Sequence, residues 1–361
     1  MLKRLAALLL AVIASMALLS YAGQRWKPEV LDSVVLHGEG SSFLYPQVQA
    51  WSEDIRSSYP WLVINYNPTG SGAGQSAFIK NVVDFAGSDP PLTGEAWARL
   101  RGSVVQLPVV IGMVAVVYNV PGVEGLRLDA EVLALIYRGE VEYWDDEAIA
   151  RLNPGIRLPN ERIIVVHRSD SSGTTQVFTL YLHKAAPDLW PQELVGKSPD
   201  WPVDYTGRGI GGKGNQGVTE LVKKNLYSIG YVEYSYAVKE GLSIALLENR
   251  EGEYVAPSPE AAQEAAKNAL SNLPSSPDGD WSSGFDAVIY APGRGSYPLT
   301  TWSFLLFYKE YPGPKAEAVR TFIEWINTEG QKSVVGGYVP IPEELRSINL
   351  KAVEMIRVAE R

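Results

Sequence analysis

The sequence predicts an α/β fold, and two patterns carry that prediction. Short apolar runs with strand character alternate with segments whose apolar residues recur at helical spacing, which favours a largely parallel sheet. Two longer strand-like apolar runs occupy residues 104–119 and 299–308. Strands of this length can cross between two lobes, so we expect crossings near residues 109–118 and 298–307.

The individual elements follow from apolar spacing and from turn-forming residues. We expect strands at residues 34–36, 62–66, 82–86, 104–119, 162–166, 228–232 and 299–308, and helices at residues 43–58, 75–81, 132–138, 145–152, 176–182, 217–225, 256–272, 315–327 and from about 348 onward. The Gly-rich residues 207–217 and the Pro- and Ser-rich residues 273–284 are predicted to be loops.

Two crossings imply one lobe built from both chain ends and a second, continuous lobe. We place the first lobe at residues 34–118 plus 298–361 and the second lobe at residues 119–297. The cleft between the lobes is the expected ligand site, because ligands bind preferentially at domain interfaces.

Residues 1–22 have the pattern of an export signal. A positive start at Lys3 and Arg4 is followed by a nearly all-apolar run over residues 5–19. The run is short against the roughly 20 residues that a spanning helix needs. We favour a cleaved signal, with an uncleaved N-terminal anchor as the alternative, and we interpret residues 23–33 as a linker. In both cases the folded part is expected outside the cytoplasm.

Composition argues against several classes of function. The 361 residues are 46% hydrophobic and 20% charged, as in a globular protein. The formal net charge of −9 argues against a nucleic-acid binder. The chain has no cysteine and 3 histidines, which argues against thiolate or histidine-rich metal centres and a cysteine nucleophile. We therefore expect no metal and no cofactor.

Residues 167–175 form the most informative turn of the chain. They follow the predicted strand at residues 162–166 and precede a predicted helix, so Arg168, Asp170 and several hydroxyl residues stand where a helix exposes unpaired N–H groups. Such a helix terminus is suited to binding an oxyanion. An ordinary N-cap is the alternative for this turn alone, because Ser, Thr and Asp are preferred caps.

Two earlier turns have the same character. Ser41 and Ser42 follow the first predicted strand, and Ser71 with Gly72 follows the second. Glycine lets backbone N–H groups approach a ligand closely, and each hydroxyl adds a donor. Arg168 adds a planar pair of donors that matches an oxyanion. Together they predict a donor-rich anion site that needs no metal.

Asp89 and Asp170 are unexpected in such a site, because an ionised carboxylate only accepts hydrogen bonds. A carboxylate would repel sulfate, but it could accept the proton of hydrogen phosphate, and such polar mismatches discriminate strongly between ligands. One aspartate therefore indicates phosphate rather than sulfate, and the other could pair with Arg168. The alternative is that both aspartates are turn formers.

Taken together, these stretches resemble the phosphate-binding proteins of ABC-type phosphate uptake systems, which are type II periplasmic binding proteins. The matching stretches are residues 38–43, 70–74, 83–89 and 168–174, with support from residues 144–146, 211–215 and 229–234. The resemblance covers, in order, essentially the whole chain after the signal. It implies a two-lobed fold in which each lobe is a mixed sheet flanked by helices and two crossing strands join the lobes.

The resemblance also implies nine phosphate-binding residues. These are Ser42, Phe43, Ser71, Asp89, Arg168, Asp170, Ser172, Gly173 and Thr174. Ser42 and Ser71 would donate hydroxyl groups, and Phe43 its backbone N–H. Asp89 would accept the ligand's proton, and Asp170 would steady Arg168, which binds the phosphate oxygens. Ser172, Gly173 and Thr174 would close the site from the second lobe.

Three departures from the family pattern matter. Ser42 stands where the family often has Thr, which changes little chemically. Ser171 stands where the family often has Gly, and a side chain there predicts a slightly different turn, since only Gly adopts positive φ freely. No lipid-attachment cysteine follows the signal, so any membrane attachment would depend on the N-terminal segment.

We therefore expect a monomeric extracytoplasmic protein, in the periplasm or at the outer face of the cell membrane, which captures inorganic phosphate and delivers it to the permease of an ABC transporter. We expect no enzyme activity. The nearest alternative is a binding protein for sulfate, molybdate or tungstate, and a ligand-free structural protein is a further one.

Two patterns resemble enzyme motifs, but they are weaker evidence than the phosphate-binding motifs. Ser172, His167 and Asp170 supply the residue types of a catalytic triad for an exported phosphatase. They lie within six positions of one another, whereas triad members come from separate loops. Residues 207–213 resemble a P-loop, but Gly214 stands where Ser or Thr must contact Mg²⁺.

Overall fold

Strands and helices alternate along residues 33–360, the part of the chain that this computed structural model describes. The strands are β1 (Val34–Gly40), β2 (Leu62–Asn67), β3 (Phe85–Ser88), β4 (Val104–Asn119), β5 (Arg127–Leu128), β6 (Ile164–Arg168), β7 (Gly209–Gly212), β8 (Ser228–Glu233), β9 (Ser243–Ile244), β10 (Leu246–Glu248), β11 (Tyr254–Val255), β12 (Thr300–Tyr308), β13 (Glu310–Tyr311) and β14 (Arg357–Val358). The α-helices are α1 (Tyr45–Ser58), α2 (Ser71–Ile79), α3 (Gly94–Leu100), α4 (Ala130–Arg138), α5 (Glu147–Leu152), α6 (Gly173–Ala185), α7 (Gly214–Lys224), α8 (Tyr234–Glu240), α9 (Pro259–Ala269), α10 (Ser282–Val288), α11 (Gly313–Ile326) and α12 (Glu343–Met355). Short 3₁₀ helices lie at Gln192–Leu194, Pro202–Thr206, Leu270–Asn272 and Glu329–Ser333.

The predicted export signal at residues 1–22 lies outside the described residues, as does nearly all of the predicted linker at residues 23–33. Within residues 33–360, no helix combines the length and the apolar character that crossing a bilayer would require.

A mixed sheet of nine strands organises the described residues. Its order is β2-β1-β3-β12-β4-β8-β6-β7, and β9 pairs with β4. The pairs of β1 with β2 and β3 are parallel, as are those of β6 with β7 and β8. The central strands β12 and β4 run antiparallel to their neighbours. The predicted α/β fold with mixed sheets is confirmed, and parallel pairing is confined to the two ends of the sheet.

Strand β4 connects the two groups of strands. Its residues 104–113 pair with β12, and its residues 114–119 pair with β8. The returning chain passes the same point, where the Val114 N–H donates to the Leu299 carbonyl at 2.9 Å. The Tyr297 hydroxyl donates to the Val114 carbonyl at 2.8 Å. Strand β4 and the chain segment that returns through Tyr297 and Leu299 therefore meet at Val114, the residue where β4 changes its pairing partner. The lobe boundaries that we drew from the sequence stay a prediction.

Helix α1 is fixed by side chains at helical spacing. Val48, Trp51 and Ile55 are fully buried on one face of the helix. The Trp51 Nε1 group also donates to the Gly330 carbonyl at 2.8 Å. Burial of each such side chain contributes about 1.5–3 kcal/mol. The N-terminus of α1, which follows the first serine-rich turn, is therefore held firmly in place.

Several predicted boundaries are wrong. Helix α2 begins at Ser71 and not at residue 75, because Gly70, with φ of 98°, turns the chain directly into the helix. The strand predicted at residues 82–86 is β3, which starts later, since Val82 is 71% exposed and cannot pack on the sheet.

The predicted loop at residues 207–217 is also wrong, because it contains β7 and the start of α7. A Cβ atom on Gly212 would lie 2.7 Å from the backbone nitrogen of Val218 in α7. The glycines therefore allow a strand to pack closely on a helix. Helix α10 likewise starts inside the predicted loop at residues 273–284, and α12 begins before residue 348.

Candidate functional site

The turns that precede helices α1, α2, α6 and α7 meet in one place. The Ser171 carbonyl, just before α6, accepts a hydrogen bond from the Gly72 N–H of α2 at 2.9 Å. The Ser42 Oγ atom, just before α1, accepts from the backbone N–H and the Nδ2 group of Asn215 in α7, both at 3.1 Å. The partially positive N-terminal ends of these helices therefore converge.

The nine predicted residues lie in two groups at this convergence. The first wall consists of Ser42, Phe43, Ser71 and Asp89, and the second wall consists of Arg168, Asp170, Ser172, Gly173 and Thr174. All nine are buried except Asp170, whose side chain is 14% exposed. Gly173 packs directly against Ser71 and Asp89, so the structure brings the two walls into contact.

Asp89 is a buried acceptor at the centre of this contact. Its Oδ1 atom accepts from the Ser41 hydroxyl at 2.5 Å and from the Ser303 hydroxyl at 3.0 Å. Its Oδ2 atom accepts from the Ser71 hydroxyl at 3.2 Å. Burial raises the pKa of Asp89 to about 6, against the lowering effect of these hydrogen bonds and of Arg168. The carboxyl is therefore mostly ionised at neutral pH, and it keeps capacity to accept a further hydrogen bond.

Arg168 and Asp170 form the pair expected from the sequence. The Nε and Nη2 groups of Arg168 donate to the two carboxylate oxygens of Asp170 at 2.7 and 2.6 Å. Burial alone would raise the pKa of Asp170, but hydrogen bonds from Arg168 and its positive charge outweigh burial and lower that pKa. The Nη1 group of Arg168 points along the second wall and donates to Thr174 Oγ1 at 3.3 Å. Asp170 thus fixes the plane of the guanidinium.

Three hydroxyl groups of the walls act only as acceptors within residues 33–360. Ser42 Oγ accepts from Asn215, and Ser172 Oγ accepts from the Thr175 N–H at 3.1 Å as the N-cap of α6. Thr174 Oγ1 accepts from Arg168 and Asn215. The O–H hydrogens of these three residues have no acceptor in the described part of the chain, so they can donate to a ligand.

Backbone N–H groups add further donors that lack an acceptor. The N–H groups of Phe43, Ser71, Gly173 and Thr174 have no hydrogen-bond acceptor among the described residues. All four residues are buried. A buried donor without a partner costs about 1–3 kcal/mol. An oxyanion between the walls would satisfy these donors.

Sequence reasoning missed two residues that support the site, and it left the part played by Ser41 open. Asn215 bridges the walls, because its Nδ2 group donates to both Ser42 Oγ and Thr174 Oγ1. It lies in the glycine-rich stretch at residues 211–215, which was the available signal. Ser303 binds Asp89 from β12, a contact that only the strand pairing reveals.

Ser171 does not disturb the turn through its φ angle. The described non-glycine residues with positive φ are Asn81, Tyr227 and Tyr290, so the backbone at Ser171 needs no glycine. The Ser171 side chain is instead accommodated by a glycine across from it, because a Cβ atom on Gly72 would lie 1.9 Å from Ser171 Oγ.

The triad suggested by Ser172, His167 and Asp170 does not form among the described residues. The His167 Nε2 atom pairs with the Asp204 carboxylate at 2.8 Å, and its Nδ1 atom lies 3.1 Å from the Arg168 carbonyl. Ser172 Oγ is instead a helix cap. This geometry offers no base to Ser172.

Comparison with known proteins places the chain in a family. A family model described as a PBP superfamily domain matches residues 27–329. The chain is 38% identical to the phosphate-binding protein PstS of Methanocaldococcus jannaschii, over 98% of this chain and 96% of that protein. It is 40% identical to the phosphate-binding protein PstS of Pasteurella multocida, over 85% of this chain and 86% of that protein. The fold is similar to that of the phosphate-binding protein from Stenotrophomonas maltophilia, with a TM-score of 0.64 at 18% identity, covering 88% of this chain and 94% of that chain. The chain therefore belongs to the PBP superfamily and, within it, to the family of phosphate-binding proteins named PstS.

Proposed function

We propose that the protein captures inorganic phosphate between the first and second walls and delivers it to the permease of an ABC transporter outside the cytoplasm. The observation that carries this proposal is the combination of one buried acceptor, Asp89, with a surplus of unpaired donors around it. The relatives named above are phosphate-binding proteins, which supports the same ligand.

Asp89 is the reason to favour phosphate over sulfate. Phosphate at neutral pH carries a proton that it can donate to a carboxylate, whereas sulfate carries none. With its pKa at about 6, Asp89 is mostly ionised at neutral pH, so it would accept that proton from phosphate and repel sulfate. A polar mismatch of this kind discriminates strongly between ligands, because it leaves buried groups unpaired.

The second wall supplies the positive charge. Arg168 is 4% exposed and held in one plane by Asp170, so its Nη1 group is presented in a fixed direction. Arginine matches the geometry of phosphate oxygens in this arrangement. The N–H groups of Gly173 and Thr174 at the start of α6 add donors on the same side.

Capture would use the two passages of the chain near Val114 as the hinge. One continuous strand and one returning segment meet there, and hinge closure is a common response of binding proteins to their ligands. We propose that the closed monomer then docks on the permease. The N-terminal segment would direct export, and it would be removed or would remain as an anchor.

A binding role is favoured over hydrolysis by the surroundings of Ser172. Its hydroxyl oxygen caps α6, and the imidazole of His167 is occupied by Asp204. We expect no steady turnover of a chromogenic phosphate ester. Turnover that disappears in a Ser172→Ala variant would overturn the binding role.

Calorimetric titration of the protein with phosphate and with sulfate tests the proposal. We expect tight binding of one phosphate and much weaker binding of sulfate. Equal affinity for the two anions, or tighter binding of sulfate, would overturn the assignment and favour another oxyanion.

A further inference from the structure

Lys197 connects the two walls from outside the nine predicted residues. Its backbone carbonyl accepts a hydrogen bond from the Ser172 N–H at 2.9 Å, which ties it to the cap of helix α6 in the second wall. Its side-chain ammonium donates to the Oε1 atom of Gln75 in helix α2, the helix that begins with Ser71 of the first wall. One residue thus binds both helices that frame the contact between the walls.

The side-chain amide of Gln75 is buried and fixed by hydrogen bonds of its own. It is 6% exposed, and its Nε2 group donates to the Ser88 hydroxyl at 2.9 Å and to the Pro90 carbonyl at 3.1 Å. Ser88 and Pro90 flank Asp89 in the sequence. The amide group of Gln75 therefore joins the turn that carries Asp89 to the ammonium of Lys197.

Lys197 carries a charge that no acidic side chain compensates. Among residues 33–360, no carboxylate oxygen lies within 4.0 Å of its ammonium, and its partner Gln75 is neutral. The Lys197 side chain is half-buried, and this partial withdrawal from water lowers its pKa. A partly buried cation without a counter-charge is costly, and the backbone of this one lies against the second wall of the predicted anion site.

We propose that Lys197 is a positioning residue for bound phosphate, which holds the second wall against the first through Gln75 and so slows release of the anion. This inference rests on the proposed function of phosphate capture. Within the described residues, the Lys197 side chain makes its hydrogen bond to Gln75 and none to the nine predicted residues, so it acts through Gln75 and the turn of Asp89. The contact can exist only while the two walls are together, because its two ends belong to different walls.

The Lys197 contact affects release of phosphate more than its capture. Phosphate must enter before the walls meet, so loss of the Lys197 contact leaves the encounter unchanged. Escape requires the walls to separate, and each contact that joins them raises the barrier to that separation. Affinity differences among variants of one interface usually lie in the dissociation rate.

The test measures phosphate association and dissociation by stopped-flow fluorescence in variants of the full chain. We expect Lys197→Met to release phosphate about tenfold faster with an unchanged association rate, as loss of a hydrogen bond to a charged group predicts. Lys197→Arg keeps the charge and the donor, so we expect it to retain most of the slow release. Lys224→Met is the matched control, because the Lys224 side chain is 74% exposed.

A double-mutant cycle with Gln75→Met identifies the partner. If Lys197 acts through Gln75, Lys197→Met has little further effect on release in the Gln75→Met background. Unchanged release in Lys197→Met, or an equal effect in both backgrounds, would overturn the proposal while leaving phosphate capture intact. Failure of the unaltered protein to bind phosphate would instead overturn the proposed function. Thermal unfolding without phosphate checks that each variant is folded.

Discussion

Gly173 packs so closely on the Asp89 carboxylate that a Cβ atom at position 173 would lie 2.4 Å from Asp89 Oδ2. The same Cβ atom would lie 2.5 Å from Ser71 Oγ. Only a residue without a side chain therefore lets the N-terminus of helix α6 reach the first wall. The backbone donors of the second wall and the buried acceptor of the first wall can then contact one small ligand.

Substitution of Gly173 tests this close approach. We expect Gly173→Ala to weaken phosphate binding by about 1–3 kcal/mol, the usual penalty for an added methyl group in a tightly packed site. Calorimetric titration measures the change. Gly336→Ala is the control, because Gly336 is exposed and a Cβ atom there meets nothing within 4 Å. Equal phosphate affinity in both variants would show that the walls need not meet closely.

Asn215 is expected to support both walls. Asn215→Ala removes the Nδ2 donor to Ser42 Oγ and Thr174 Oγ1, although the backbone N–H at position 215 still donates to Ser42 Oγ. It also leaves the Glu233 N–H without its side-chain acceptor. We expect the free energy of unfolding to fall by about 1–3 kcal/mol, with weaker phosphate binding besides. Urea unfolding and calorimetry measure the two effects. Gln216→Ala, at the exposed neighbouring position, is the control and should lose neither stability nor phosphate affinity. Similar losses in both variants would contradict the supporting role of Asn215.

The sequence predicted which turns lie together better than which side chains pair within them. The serine-rich and glycine-rich turns marked both walls, because a helix terminus with hydroxyls and glycine has few other uses than capping or anion binding. Which hydroxyl meets which partner was not predictable. Ser41 binds Asp89, while its neighbour Ser42 faces Asn215, and only the backbone direction at that turn decides between them.

Long-range pairing accounts for most of what the sequence did not predict. The strand at residues 104–119 was predictable because nearly all of its residues are apolar and buried on both faces. The contact of Ser303 with Asp89 depends on the register of β12 against β3, which no local pattern records. The early start of α2 depended on the backbone angle of Gly70, which the residue type permits but does not require.

The stability of the ligand-free protein should depend on pH through the ionisation of Asp89. Burial raises the pKa of Asp89 from 3.8 to about 6, so the folded state holds this proton to a higher pH than the unfolded state does. The folded state therefore binds more protons between these values, and its stability falls as pH rises through them. Full ionisation of Asp89 lowers the free energy of unfolding by about 3 kcal/mol.

Urea unfolding of the unaltered protein and of Asp89→Asn, without phosphate, measures this dependence. We expect the variant to gain stability relative to the unaltered protein as pH rises from about 4 to about 7, because the variant has no proton to lose. Burial also raises the pKa of Glu233, to about 8, but that group is present in both proteins and cancels in the difference. Parallel pH profiles would contradict the raised pKa of Asp89.

Selection of phosphate by Asp89, which accepts the proton of the ligand, is the central claim. Calorimetric titration of Asp89→Asn with phosphate and with sulfate tests it most directly, because the amide no longer repels sulfate and can donate a hydrogen bond to it. We expect the ratio of phosphate to sulfate affinity to fall by at least about tenfold, with a smaller loss in phosphate affinity itself. A ratio equal to that of the unaltered protein would contradict the claim.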